Sequence, residues 1–174
     1  MTTTASAQGT TEGPKAKQKI TPMLWYDTQA EEAANFYCSI FKNSRVNNVA
    51  RYGDTGPGPK GQVMVVSFEL DGQEFTALNG GPTFKFTEAI SMVVNCETQE
   101  EIDTYWEKLS AGGQEVECGW LKDKYGLSWQ ITPTIIGEFW SKGDQEQLDR
   151  VMGEVMKTKK FNIQKLKDAY EGKS

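Results

Sequence analysis

The fifteen residues MVVNCETQEEIDTYW, at positions 92–106, decide the fold, because the chain has used the same design once before. Residues 23–37 read MLWYDTQAEEAANFY. Thr28-Gln29 stands 70 residues before Thr98-Gln99, Glu31 falls on Glu101, and Phe36 falls on Trp106. Each copy is a short apolar run followed by T-x-x-E, the spacing in which a threonine hydroxyl and a glutamate carboxylate cap a helix start reciprocally. Behind each start runs a helical stripe of apolar residues: Ala33, Phe36, Tyr37, Ile40 and Phe41 in the first, and Ile102, Tyr105, Trp106 and Leu109 in the second. The sequence therefore predicts a strand followed by a helix, twice.

The segments after each helix extend the repeat. Beyond the first come runs at 45–52, 62–70 and 73–79. The middle run alternates, with Met64, Val66, Phe68 and Leu70 on one face and Val65, Ser67 and Glu69 on the other. Asp71-Gly72 marks a tight hairpin. Beyond the second helix come shorter runs at 114–118, 120–122 and 127–132. Tyr125-Gly126 precedes the last of these much as Asp71-Gly72 precedes residues 73–79, and Phe75 then falls on Trp129. The chain is α+β: two tandem βαβββ modules forming a cleft, with each sheet burying one face under its helix. The expected boundaries are a disordered tail at 1–19, a first module at 20–80, a second at 81–134 and a helical extension at 135–174. In the extension Asp144 and Gln147 cap one helix, whose inward stripe is Leu148, Val151, Met152, Val155 and Met156. Asn162 caps another, with Ile163, Leu166 and Tyr170 inward.

The glycine-rich NGGP at 79–82 is then the crossover between modules. A phosphate-cradling loop needs G-x-x-x-x-G-K-[ST] between a strand and a helix, whereas here a strand comes next. The cluster GDTGPGPKG at 53–61 likewise opens no helix.

Composition narrows the function. The 174 residues carry a net charge of −5, with lysines gathered at both ends around an acidic body. Such a chain lacks the basic face that nucleic-acid binding requires. No apolar run reaches the ~20 residues of a membrane span, and the N-terminus has no apolar segment of a secretory signal. Three scattered cysteines, Cys38, Cys96 and Cys118, suit a reducing, cytoplasmic setting better than a disulfide framework. There is no histidine. That excludes Ser–His–Asp and Cys–His catalysis and every histidine-ligated metal site.

Three segments, ITPMLWYDTQAEEAANFY (20–37), DKYGLSWQITP (123–133) and KTKKFNIQKLKDAY (157–170), resemble the PhnB-like branch of the vicinal-oxygen-chelate superfamily, which includes glyoxalases and bleomycin-resistance proteins. Members often carry the label demethylubiquinone methyltransferase. The resemblance implies a homodimer with a small-molecule cleft. Metal-using relatives place His, Gln or Glu on four inward strands. Here the matching positions hold Gln130 and Ala89, so neither metal nor cofactor is expected. A class-I S-adenosylmethionine site would need a parallel sheet with a glycine-rich first turn.

Strand alternation nominates Trp25, Ser67, Glu69, Thr76, Ser91 and Gln130 as pocket residues, apolar walls with neutral hydrogen-bonders suited to a small-molecule ligand. Three functions stay open: a ligand-binding protein; an enzyme, either glyoxalase- or dioxygenase-like with an unconventional metal held by Gln130 and Glu69 or a methyltransferase by label; and a dimeric structural protein with a closed cleft. No catalytic residue is assigned.

Overall fold

The structure is a computed structural model and describes residues 18–173. All but the last two residues of the expected tail lie outside the described residues. One of those two, Gln18, is held: its amide donates to the Glu74 carbonyl at 2.8 Å and accepts from the Glu74 N–H at 3.1 Å.

Two four-stranded sheets repeat one topology. The first holds β1 (Met23–Tyr26), β2 (Arg45–Arg51), β3 (Val63–Leu70) and β4 (Gln73–Asn79) in the order β1-β4-β3-β2. The second holds β5 (Met92–Cys96), β6 (Gln114–Glu115), β7 (Trp120–Lys122) and β8 (Ser128–Pro133) in the order β5-β8-β7-β6. In each, the first strand lies parallel to the fourth and the remaining pairs are antiparallel. Between first and second strands lie α1 (Ala30–Ile40) and α2 (Gln99–Ser110). Residues 80–91 cross between the modules without helix or strand, as the reading of NGGP requires.

The alternating faces sort as the pattern dictates. Leu24, Tyr26, Val66, Phe68, Phe75 and Ala77 are buried under α1, which contributes Ala33, Tyr37 and Ile40. In the second module Leu121, Trp129 and Ile131 are buried with Ile102, Trp106 and Leu109 of α2. The two cores are continuous. Tyr37 reaches Trp129 at 5.3 Å between ring centroids, and Phe41 stacks on both Tyr105, at 5.1 Å, and Trp129, at 5.5 Å. The modules thus join through their helix-bearing sides, and the opposite face of each sheet stays half-exposed.

The two helix starts differ where the repeat predicts sameness. Thr98 and Glu101 form the expected reciprocal cap on α2. Thr28 makes no cap. α1 begins at Ala30, and its first amide is taken by Asn79 Oδ1 at 2.8 Å, while Asn79 Nδ2 donates to the Val63 carbonyl at 3.1 Å. Glu31, freed from capping, pairs with Arg51 at 3.1 Å.

Three further helices follow among the described residues: α3 (Ile135–Lys142), α4 (Gln145–Val155) and α5 (Ile163–Glu171). Asp144 and Gln147 cap α4 reciprocally, and Asn162 accepts from the Lys165 amide on α5, both as expected. Val151 and Leu166 are fully buried and Phe139 stacks on Tyr170 at 4.3 Å. The predicted inward stripe of α4 is only partly inward: Leu148, Val151 and Val155 pack into the core, whereas Met152 and Met156 are exposed. The extension is fastened to the second module by main chain. The Cys118 and Gly119 amides donate to the Thr158 and Lys159 carbonyls, both at 2.7 Å. Gly119 has a φ of +80°, and a Cβ there would stand 2.3 Å from Phe161 Cε2 and 3.1 Å from the Ile131 carbonyl oxygen, so this glycine forms the socket that seats Phe161.

Candidate functional site

On the helix-distal face of the first sheet, Met23, Thr76 and Ser67 are in register across β1, β4 and β3, and Trp25, Leu78 and Val65 form the next row. Ser67 and Thr76 are therefore cross-strand neighbours, both half-buried. Trp25 is committed to the crossover. Its Nε1 donates to the Gly81 carbonyl at 2.9 Å, its ring lies against Gly80, leaving no room for a Cβ there, and Phe84 meets it edge-on at 4.9 Å. Glu69 is 4% exposed and takes an Arg45 guanidinium N–H at 2.8 Å.

On the second sheet Gln130 Nε2 donates to Ser91 Oγ at 2.9 Å. Trp120 lies opposite Gln130, and Lys122 opposite Ser128, through the β7–β8 pairing. Trp120 and Lys122 belong to this face, a placement the three-residue pattern of β7 does not show by itself. Counting back across the hairpin through Tyr125-Gly126 places them there. Lys122 is ion-paired with Glu88 of the crossover. The Ser128 hydroxyl is buried without a hydrogen-bond partner among the described residues.

The structure thus joins Ser67 with Thr76 and Ser91 with Gln130, on different sheets, and gives Trp25 and Glu69 local partners. A groove of about 580 Å³ runs beside β5 and includes Ser91. A second, of about 540 Å³, lies beside Tyr52 and Asn79 and includes none of the six.

The polar centre of the molecule lies elsewhere, at Asp123. This carboxylate is 3% exposed and receives four hydrogen bonds: from Tyr37 Oη at 2.7 Å and Trp129 Nε1 at 2.8 Å on one oxygen, and from the Tyr125 and Leu127 amides at 2.8 and 3.1 Å on the other. Tyr26 Oη lies 3.2 Å from Tyr37 Oη and continues the chain. Burial raises the Asp123 pKa above its ordinary value while the four donors pull it back. Burial also raises both phenols. The group lies between α1 and β8 and ties one module to the other.

The residues present do not fit a metal centre of the kind the fold hosts elsewhere. Glu69 is held by Arg45, Gln130 by Ser91, and among the described residues no three His, Cys, Asp or Glu side chains cluster. Nor do they fit a class-I S-adenosylmethionine site. Both sheets are mainly antiparallel, and the α1 start is occupied by Asn79. Cys96 is fully buried, and burial pushes its thiol up to about 12, so it stays protonated at neutral pH.

Paired βαβββ modules with these strand orders define the vicinal-oxygen-chelate fold. The chain belongs to the 3-demethylubiquinone-9 3-methyltransferase family, the PhnB-like branch, whose model matches residues 18–132. It is similar to a structure from Bacillus cereus described as a putative 3-demethylubiquinone-9 3-methyltransferase, PhnB protein. The two are 44% identical over 67% of this chain and 99% of that one, with a TM-score of 0.62. A Pseudomonas aeruginosa protein shares the fold at 18% identity over 67% and 98% of the two chains, with a TM-score of 0.57. So does a fosfomycin resistance protein, FosX, from Listeria monocytogenes, at 16% identity over 71% and 97%, with a TM-score of 0.51. No curated protein matches the chain. No helix among the described residues is long and apolar enough to cross a membrane.

Proposed function

We propose that this protein binds a small molecule on the helix-distal faces of its sheets, as a cytoplasmic homodimer in which a second copy closes those faces into a cleft. The observation that carries the reading is the Gln130–Ser91 pair. Both side chains are half-buried on an open sheet face, and their 2.9 Å bond leaves the Gln130 amide oxygen without a donor among the described residues. A polar pair held in fixed geometry at an accessible position is suited to orienting a neutral ligand. Ser67 and Thr76 add hydroxyls, Trp25 and Trp120 add apolar wall, and Glu69 stays in its ion pair as a support. Met23 at 61% and Val93 at 51% exposure give the same faces apolar surface for the second copy to cover.

The test is native mass spectrometry of the untagged protein, as purified and after incubation with the small-molecule fraction of a cell extract. A dimer carrying a small organic adduct is the expected result. Gln130→Leu and Ser91→Ala should each lose the adduct and remain dimeric. A protein that carries no adduct under either condition overturns the reading. So does an adduct that both variants retain.

A further inference from the structure

The groove beside β5 has a chemistry of its own. One wall is a tier of three rings, Tyr105, Phe41 and Trp129, with Phe41 in the middle at 5.1 and 5.5 Å and interplanar angles of 21° and 24°. The other side is the outer edge of β5, which pairs only with β8 among the described strands and so presents unpaired main-chain groups. Two carboxylates line the groove, Asp71 and Glu101, and none of its lining residues is basic. Glu101 spends one oxygen on the Glu97 and Thr98 amides. Asp71, at the exposed hairpin end, receives no side-chain donor among the described residues. Two lysines, Lys42 and Lys108, line an adjoining groove that shares Glu101 and Tyr105, which leaves the Asp71 end as the place for a positive charge. Both carboxylates also help raise the Tyr105 phenol, after burial as the larger cause, so their field is felt at the ring tier.

We propose that this groove binds a planar organic cation: an aromatic ring system against the Tyr105–Phe41–Trp129 wall, with its positive charge beside Asp71. The two carboxylates favour a cation, the ring tier offers apolar surface for a flat ring system, and a groove of about 580 Å³ accommodates a drug-sized one. The site shares Ser91 and Val93 with the ligand face described above, but its ring wall and its carboxylates lie outside that face.

The test uses two fluorescent probes with the full chain: berberine, a planar aromatic cation, and 8-anilinonaphthalene-1-sulfonate, an aromatic anion. Berberine should bind saturably at one site per chain. Asp71→Asn, which keeps the size of the side chain and suits the positive φ of 45° there, should weaken berberine by roughly five- to tenfold. Gln73→Lys, at an exposed lining position, should weaken it further. Neither variant should weaken the anion. Equal preference for the two probes, or unaltered berberine binding in both charge variants, overturns the proposal. So does an absence of berberine binding at any concentration, the outcome expected if a second copy fills the groove.

Discussion

Replacing Tyr37 by Phe removes a single oxygen from the centre of the molecule. Tyr37 is fully buried, and its hydroxyl gives Asp123 a 2.7 Å hydrogen bond while standing 3.2 Å from Tyr26 Oη. The variant opens almost no cavity, since the ring stays. What is lost is one of four hydrogen bonds to a buried charged acceptor, about 1.5–3 kcal/mol. With a urea slope of about 2 kcal/mol per molar, the midpoint should fall by about 1 M at unchanged slope. Tryptophan fluorescence at a fixed protein concentration reads it. The pH dependence sharpens the test. Burial raises the folded-state pKa of Asp123 above its unfolded value. Its contribution to stability is therefore complete below the unfolded pKa of about 3.9 and is lost as pH rises through the folded value. The Tyr37 bond favours the ionised carboxylate, so deleting it should raise that pKa further and cost more at pH 7 than at pH 4. A midpoint shift under about 0.2 M, or a loss independent of pH, would refute the assignment of Asp123 as the pin between modules.

The geometry sets three further outcomes. Thr98→Ala should lose about 1 kcal/mol by thermal unfolding, whereas the repeat-equivalent Thr28→Ala should change stability by less than about 0.3 kcal/mol, because only Thr98 caps a helix. Gly80→Ala should push the Trp25 indole off its seat, with a loss of about 1–3 kcal/mol and a shifted emission maximum; an unshifted spectrum would contradict that contact. Mass spectrometry after iodoacetamide treatment at pH 8 should find Cys118 alkylated well before Cys96, whose thiol is fully buried and raised to about 12.

The strands and helices were legible because each sheet buries chiefly one face, so period-two runs such as 63–70 mark Val66, Phe68 and Leu70 as inward, with Glu69 the exception, and the duplicated module checks each reading against a second copy. The α1 start was not, because the atom that caps it comes from Asn79, 49 residues downstream. A local T-x-x-E pattern carries no information about a competitor arriving from another strand. Asp123 escaped for a related reason. In sequence, Asp-Lys-Tyr-Gly reads as a solvated hairpin turn, and only the fold brings Tyr37 to it across 86 residues. Of the candidate site, strand alternation nominated Ser67, Thr76, Ser91 and Gln130 one by one; that Ser91 meets Gln130 and Ser67 meets Thr76 depends on strand register, which alternation does not give. That Trp25 and Glu69 have partners of their own depends on the crossover and on Arg45, which alternation does not place.

The socket at Gly119 ties two distant positions into one inherited character. The backbone sign at 119 alone would leave asparagine open as well as glycine; the Phe161 ring removes that option. A lineage that keeps a large aromatic at 161 must keep a hydrogen at 119, and one that dispenses with the C-terminal helices is released from half of that constraint. Residues 119 and 161 should therefore change together across relatives, and a glycine that looks like ordinary turn punctuation records whether the C-terminal helices are attached.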